Sequence, residues 1–287
     1  MSEPDPAGRL RNQAVASSAV EPDETDRLRQ EALAHAAEQG YPTSRSPEVS
    51  RRLELLWGTS EPPTRGRKAR LVLADVVAAA VQIADRDGLD ALSMRRVAGE
   101  LGVGAMSLYT YVPGRAELVD LMVDRTFGEL ELPEAGLGWR EELRQYARQC
   151  WRLYRGHPWL LQLNMWRGPL APQVLDAQEA GLRALAGTGI SAPEVVRTLA
   201  LVDTFVQGTA RADIAEDADR RDTGVEMDDF WESVSSFWTD YFDYARYPTM
   251  ARLYADGGFD AVDDFEAALD RLLTVVELSL AAAGPAR

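Results

Sequence analysis

Arg95 and Arg115 stand near the two ends of the stretch LSMRRVAGELGVGAMSLYTYVPGRAEL, residues 92–118, with Ser107, Tyr109, Thr110 and Tyr111 between them. Guanidinium groups donate hydrogen bonds and carry a fixed positive charge, and hydroxyls add short neutral donors. That chemistry suits an anionic surface. A catalytic centre would instead gather carboxylates, imidazoles or a thiol within reach of one another. The chain has two histidines, His35 and His157, far apart in sequence, and one cysteine, Cys150, with no histidine near it. It contains no GxSxG turn and no Walker-type loop. An enzyme is therefore not expected. One cysteine excludes an intramolecular disulfide, and so few histidines leave little for a metal site, so neither a metal nor another cofactor is expected.

The whole chain carries a formal charge of −15, which taken alone argues against a polyanionic partner. The distribution of charge along the chain points the other way. Residues 1–63 sum to −4, residues 64–115 to +3 and residues 116–287 to −14. Local field decides where a polyanion docks, and one segment is basic inside an acidic chain. No apolar run approaches the ~20 residues needed to cross a bilayer, and the N-terminus MSEPDPAGRL lacks the apolar core of a signal peptide. A cytoplasmic protein with no membrane partner is expected.

The elements that must position these side chains are helical. Residues 1–25 have no apolar period and read as disordered, and 24–39 fit a polar helix. SPEVSRRLELLWG, residues 46–58, fits a short amphipathic helix with Val49, Leu53, Leu56 and Trp57 on one face; it must dock on this chain or on a partner. The Pro/Gly-rich basic linker TSEPPTRGRKAR (59–70) follows. In LVLADVVAAAVQIADRDG, Leu73, Val76, Val77, Ala80, Val81 and Ala84 form one stripe and Gly88 ends the helix. Further helices are predicted over 115–130, 139–155, 171–186, 192–214, 228–246 and 261–283. No segment alternates at period two for long enough to be a strand. The fold class expected is all-α.

Within the opening stretch, Ser93 is placed to cap a helix 94–101, Gly102 to relieve a sharp turn, and a second helix of about two turns to follow. Val97, Leu101, Leu108 and Val112 then face inward. The remaining face of the second helix shows Gly104, Ala105, Met106, Ser107, Thr110 and Tyr111, small enough to sit deep in a major groove. Periodicity alone leaves open an ordinary helical hairpin. The residues decide between the two. LSMRRVAGELGVGAMSLYTYVPGRAELVDLMVD, preceded by ADVVAAAVQIADRDGLDA, closely resembles the DNA-binding domain of the TetR family of bacterial transcriptional repressors. HPWLLQLNMWRGPLAPQVLDAQEAGLRAL and the helices after it look more loosely like the ligand-sensing domain of the tetracycline-repressor branch.

That resemblance implies three segments: an N-terminal extension (1–63), a helix-turn-helix domain with a basic arm (64–130) and a helical ligand-binding and dimerisation domain (131–287). It implies a homodimer on a palindromic double-stranded DNA operator, released by a small-molecule effector. Residue by residue, Arg95 falls where the family places a base or phosphate contact. Ala105, Met106, Ser107, Thr110 and Tyr111 fall on the base-facing side, Tyr109 at a phosphate, and Arg115 at a backbone clamp. The linker cations Arg65, Arg67 and Lys68 either solubilise a hinge or follow the phosphates as an arm; their place beside the motif favours the arm. No Asn, Gln or Arg stands on the second helix to make bidentate base contacts, so specificity falls to Arg95, methyl and hydroxyl contacts, and DNA shape.

Six of the seven tryptophans lie beyond residue 138. Each alone is a core residue by default. Together, Trp151, Met165, Trp166, Phe205 and Trp231 are the candidates to line an apolar cavity for a mainly apolar, aromatic effector. The acids of ARADIAEDADRRDTGVEMDDF (210–230) read as a solvated loop, or as an attraction for a cationic ligand. Phe265, Leu269, Leu272, Leu273, Val276 and Leu280 form an apolar face expected to pair with a twin. The alternative function is a DNA-binding regulator with no small-molecule switch, governed by a protein docked on 46–58.

Overall fold

A computed structural model describes residues 22–40, 46–58, 71–165, 168–259 and 264–283. Among them lie thirteen α-helices and two short 3-10 turns, with no strand. The chain divides into two compact units, 1–55 and 56–287. In the first, α1 (Pro22–Glu38) is a polar helix braced by Arg27 between Glu24 and Glu31. The second helix, α2 (Pro47–Leu56), ends where the second unit begins. Leu56 is buried there, and the Trp57 indole N–H donates to the Leu170 carbonyl at 3.0 Å.

The second unit opens with a three-helix head. In α3 (Leu73–Asp87), Val76, Val77, Ala80, Val81, Ile83 and Ala84 are buried, so the apolar stripe in the sequence is the core face. Gly88, at φ +82°, stops the helix while its N–H returns to the Ala84 carbonyl at 2.9 Å. Ser93 caps α4 (Met94–Glu100) by accepting from the Arg96 amide at 3.2 Å. A cap of this kind is worth ~1 kcal/mol. Gly102, at φ +64°, makes the turn that few L side chains tolerate. Helix α5 (Ala105–Leu108) is one turn long and continues as turns to Tyr111, shorter than the two turns the sequence predicts. Leu108 and Val112 are fully buried beneath it.

Helix α6 (Arg115–Phe127) leads away from the head, burying Leu118, Met122, Val123 and Phe127. Three long helices then carry the rest: α7 (Trp139–Gly156), α8 (Pro172–Ala186) and α9 (Ala192–Thr223). At Gly181 an added Cβ would lie 2.6 Å from Leu199 Cδ1, so a missing side chain sets how closely α8 approaches α9. The 131–138 connection is held by Glu142, which accepts from the Gly136 amide at 2.9 Å, and by Arg183, which donates to the Pro133 carbonyl at 2.7 Å. After α10 (Met227–Ser233), α11 (Ser236–Asp240) and α12 (Pro248–Ala255), the final helix α13 (Phe265–Ala283) returns to α7. Arg140, Arg144 and Arg148 on α7 reach Glu277, Asp270 and Glu266 on α13 at 2.6–2.9 Å. Such exposed pairs contribute little energy singly but fix the register of the two helices.

Three expectations need correction. Residues 210–223 are not a loop but the last turns of α9, where Arg220 pairs with Asp217 one turn away and Asp217 also takes Arg155. Charged pairs at helical spacing support a helix that has no apolar stripe to announce it. The single helix expected over 228–246 is two short ones, α10 and α11, broken at Val234–Ser235. Phe265, Leu269, Leu273 and Val276 do not face outward for a twin; they are buried within this chain. The large apolar residues that α13 exposes are Val275 and Leu278, while α9 exposes Val196 and Leu201.

Candidate nucleic-acid interface and sensing core

On the surface of α4 and α5, Arg95, Met106, Ser107, Tyr109 and Thr110 are exposed, Met106 at 78%. The Arg95 guanidinium makes no hydrogen bond or ion pair among the described residues. Its neighbour Arg96 is committed, donating to Asp87 at 2.6 Å, and Arg86 pairs with Asp87 and Glu100. Thr110 Oγ1 donates to the Ser107 carbonyl at 2.7 Å and keeps its lone pairs outward. The face therefore offers an uncommitted cation, hydroxyls and a flexible thioether, a set that contacts phosphate oxygens and thymine methyls.

Three expected DNA contacts sit differently. Ala105 is half-buried against the core. Tyr111 turns inward, and its hydroxyl donates to the Leu71 carbonyl at 3.0 Å. Tyr111 follows buried Leu108 by three positions, so helical spacing itself sets it toward the core side. Arg115 spends Nε on the Leu92 carbonyl at 3.0 Å and Nη2 on the Leu89 carbonyl at 2.8 Å. It ties the start of α6 to the loop before α4. Arg65, Arg67 and Lys68 lie outside the described residues.

In the sensing half, the Trp151 ring stacks on Phe265 at 4.5 Å, and Phe205 lies 5.9 Å from Phe265 on its other contact. The Trp151 indole N–H donates to Asp213 at 2.7 Å, and the Arg155 guanidinium sits 4.9 Å over its ring. Trp151 and Phe205 thus meet through a third aromatic. Met165 is half-buried against the same core. Trp231 is elsewhere: it is 53% exposed on α10, with Phe230 as its ring partner at 5.3 Å. Trp166 lies outside the described residues. An open cleft of about 380 Å³ between the end of α9 and α10 combines Glu216, Asp219 and Glu226 with Met227 and Phe230.

A polar seam crosses the packing of α7 on α9. The Tyr146 hydroxyl donates to Asp203 Oδ1 at 2.9 Å. Burial pushes the Asp203 carboxyl up to about 6, with the Tyr146 hydrogen bond opposing. Burial also raises the Cys150 thiol and the Tyr154 phenol. Cys150 is accordingly an unreactive core residue.

Residues 76–122 match the family described as "Bacterial regulatory proteins, tetR family", and residues 132–278 match "Tetracyclin repressor-like, C-terminal domain". The chain belongs to the TetR family. It is 44% identical over 242 residues to the "HTH-type transcriptional repressor DrrR1" of Streptomyces coeruleorubidus, spanning 83% of this chain and 89% of that one. It is 28% identical over 152 residues to the class A tetracycline repressor protein from transposon 1721 in Escherichia coli, covering 52% of this chain and 70% of the relative. Among solved structures, Streptomyces coelicolor ActR in complex with actinorhodin superposes with a TM-score of 0.62 at 30% identity, over 76% of this chain and 99% of ActR.

The TetR N-terminal match spans Arg95, the exposed α5 residues and Arg115, and the C-terminal match spans both the aromatic stack and the polar seam. Sequence reasoning missed Asp203, Tyr146, Asp213 and Phe265 as members of this aromatic and polar core. For Asp203 a signal was present: it stands at i+4 from Leu199 and i−3 from Val206, both buried, so the period of α9 places a lone carboxylate on the core side. Phe265 is 114 positions from Trp151, and no local pattern joins them.

Proposed function

We propose that this TetR-family chain is an effector-responsive repressor that binds a palindromic operator as a homodimer and is released by a mainly apolar small molecule. The observation that carries the reading is the likeness of the chain to ActR, which is seen with actinorhodin bound. Arg95 is the principal cation of the DNA face, with Met106, Ser107, Tyr109 and Thr110 beside it. Tyr111 holds the Leu71 carbonyl, and Arg65, Arg67 and Lys68 precede Leu71 by three to six positions in the sequence, which favours them as a phosphate-following arm.

The effector site is assigned to the packing of α7, α9 and α13 around Trp151, Phe205 and Phe265, with Met165 at its edge. A flat apolar molecule would replace one partner of that stack. Trp231, exposed on α10, joins only if α10 closes on the molecule. The dimer contact is assigned to the exposed apolar residues of α9 and α13, Val196, Leu201, Val275 and Leu278. They are the large apolar residues that these two helices leave exposed, and a two-fold contact would cover them. Among the described residues no helix is long and apolar enough to cross a membrane. The chain acts in the cytoplasm and catalyses nothing.

An effector that binds the non-operator form 100-fold more tightly shifts the equilibrium by about 2.7 kcal/mol at saturation. The test pairs tryptophan-fluorescence titration of a flat polycyclic compound with a gel shift on the operator and light scattering of the free protein. Release of operator at the concentrations that quench fluorescence is the expected result. A compound that quenches yet leaves operator affinity unchanged, or a monomer at micromolar concentration, refutes it. Leu56 is buried and the Trp57 N–H is held by the Leu170 carbonyl, so a protein partner on residues 46–58 would meet Val49 and the exposed half of Trp57.

A further inference from the structure

One junction belongs neither to the DNA face nor to the aromatic stack. His157 follows α7, and its side chain is only 13% exposed. Its Nδ1 lies 2.7 Å from Asp85 Oδ1, in the last turn of α3, and its Nε2 lies 3.1 Å from Glu129 Oε2, just beyond α6. The Trp159 indole N–H donates to the same Asp85 oxygen at 2.8 Å. Three parts of the chain meet at one ring: the first helix of the head, the end of the connecting helix, and the 3-10 turn Pro158–Gln162 that follows α7 in the C-terminal domain.

The chemistry of the ring limits its state. A neutral imidazole has one N–H and one lone pair, whereas an ionised carboxylate only accepts. With an acid at each nitrogen, the neutral ring would aim a lone pair at one carboxylate. The imidazolium donates to both. Burial, the largest single influence, favours the neutral ring, but the hydrogen bonds and charges of Asp85 and Glu129 outweigh it and hold the pKa above its ordinary value. Other charges lie close by. Arg152 on α7 lines the cleft shared by His157 and Glu129, and Arg155, Asp217 and Arg221 line the next one with Asp85. Arg155 is paired with Asp217 at 2.7 Å.

We propose that His157, as an imidazolium shared by Asp85 and Glu129, is a positioning residue that clamps the DNA-binding head to the sensing domain and makes operator affinity depend on pH. The inference rests on the repressor reading in one respect: the effector-free arrangement is taken as the one that binds operator. The clamp contributes fully below the ordinary imidazole value of about 6.5 and is lost as pH rises through the raised value. Any effector-driven movement of α3 relative to α6 separates the two acids and releases the proton. By reciprocity, effector affinity then rises with pH.

The test uses the full chain and a duplex selected by it from a random DNA library. Operator affinity is measured from mildly acidic to alkaline pH at fixed ionic strength, alongside the thermal midpoint and NMR titration of the imidazoles without DNA. His35, exposed on α1, is the other histidine in the chain and is removed as His35→Gln to leave one signal. Wild type is expected to lose about three- to tenfold in affinity across the His157 titration, since one pK unit of difference between forms corresponds to tenfold. His157→Gln keeps a neutral donor and is expected to flatten that profile while the midpoint shows an intact fold. Asp85→Asn and Glu129→Gln are each expected to move the His157 titration to lower pH. A selected duplex bound with the same pH profile by His157→Gln overturns the clamp alone, as does a His157 titration at or below the ordinary value. Selection of no duplex by wild type overturns the repressor reading together with it.

Discussion

The Tyr111 hydroxyl donates to the Leu71 carbonyl at 3.0 Å, joining the end of the recognition element to the first described residue of the head across 40 positions of sequence. A side chain expected to touch DNA instead fixes where the N-terminal chain enters. Tyr111→Phe removes one hydrogen bond and leaves a partly buried carbonyl unsatisfied, at a cost of about 0.5–1.5 kcal/mol. Thermal denaturation of the full chain should register that loss. Operator affinity should fall modestly and equally for all sequences, because the arm loses its anchor while the exposed face is unchanged. A change in base preference would return Tyr111 to the DNA face.

Arg95 and Arg115 separate into two roles that salt can tell apart. Both are exposed, but Arg95 makes no hydrogen bond or ion pair among the described residues, whereas Arg115 gives two donors to backbone carbonyls at 2.8 and 3.0 Å. Arg95→Ala is expected to weaken operator binding and reduce the slope of log affinity against log salt by about 1, as loss of one phosphate contact does. Arg115→Ala is expected to lower stability by about 1–3 kcal/mol through the lost charge-assisted bonds, with little change in that slope. A reduced slope for Arg115→Ala, with unchanged melting, would restore it as a phosphate clamp.

The helical period in residues 71–130 is legible in the sequence because each apolar stripe packs on its own neighbours. Val76, Val77, Val97, Leu108 and Val112 are buried where spacing places them, and Ser93 and Gly102 punctuate the chain as their chemistry requires. The last turns of α9 are not legible, since their support is ionic and comes partly from Arg155 on another helix. The inward turn of Tyr111 follows from its place three positions after buried Leu108, a signal that the base-facing assignment overlooks. An apolar stripe such as the Phe265 face of α13 does not by itself say whether it meets its own chain or a twin.

Gly181 provides a test of packing in the C-terminal domain. A Cβ there would meet Leu199 Cδ1 at 2.6 Å and the Tyr146 ring at 3.3 Å. Leu199 is itself buried, so it has little room to turn away. Gly181→Ala gains helix propensity worth up to about 1 kcal/mol. Overpacking of a filled core costs about 1–3 kcal/mol. Net destabilisation is expected by chemical denaturation, and a stabilised variant would mean that α8 and α9 separate easily.

Asp203 is the carboxylate whose titration should be visible in stability. Its pKa is pushed up to about 6 by burial, against about 3.9 for a free aspartate. Between those values the folded chain binds more protons than the unfolded one. The contribution of this group to stability is therefore greatest below the unfolded value, falls as pH climbs through the folded value, and stays reduced above it. A gap of roughly two pK units corresponds to about 1–3 kcal/mol. Asp203→Asn keeps an oxygen to accept from Tyr146 and removes the buried charge. The variant should melt higher than wild type at pH 7.5 and gain little near pH 4, where the folded wild type is already protonated at this site. A difference in midpoint that is the same at both pH values would assign the effect to packing and refute the buried charge as its cause.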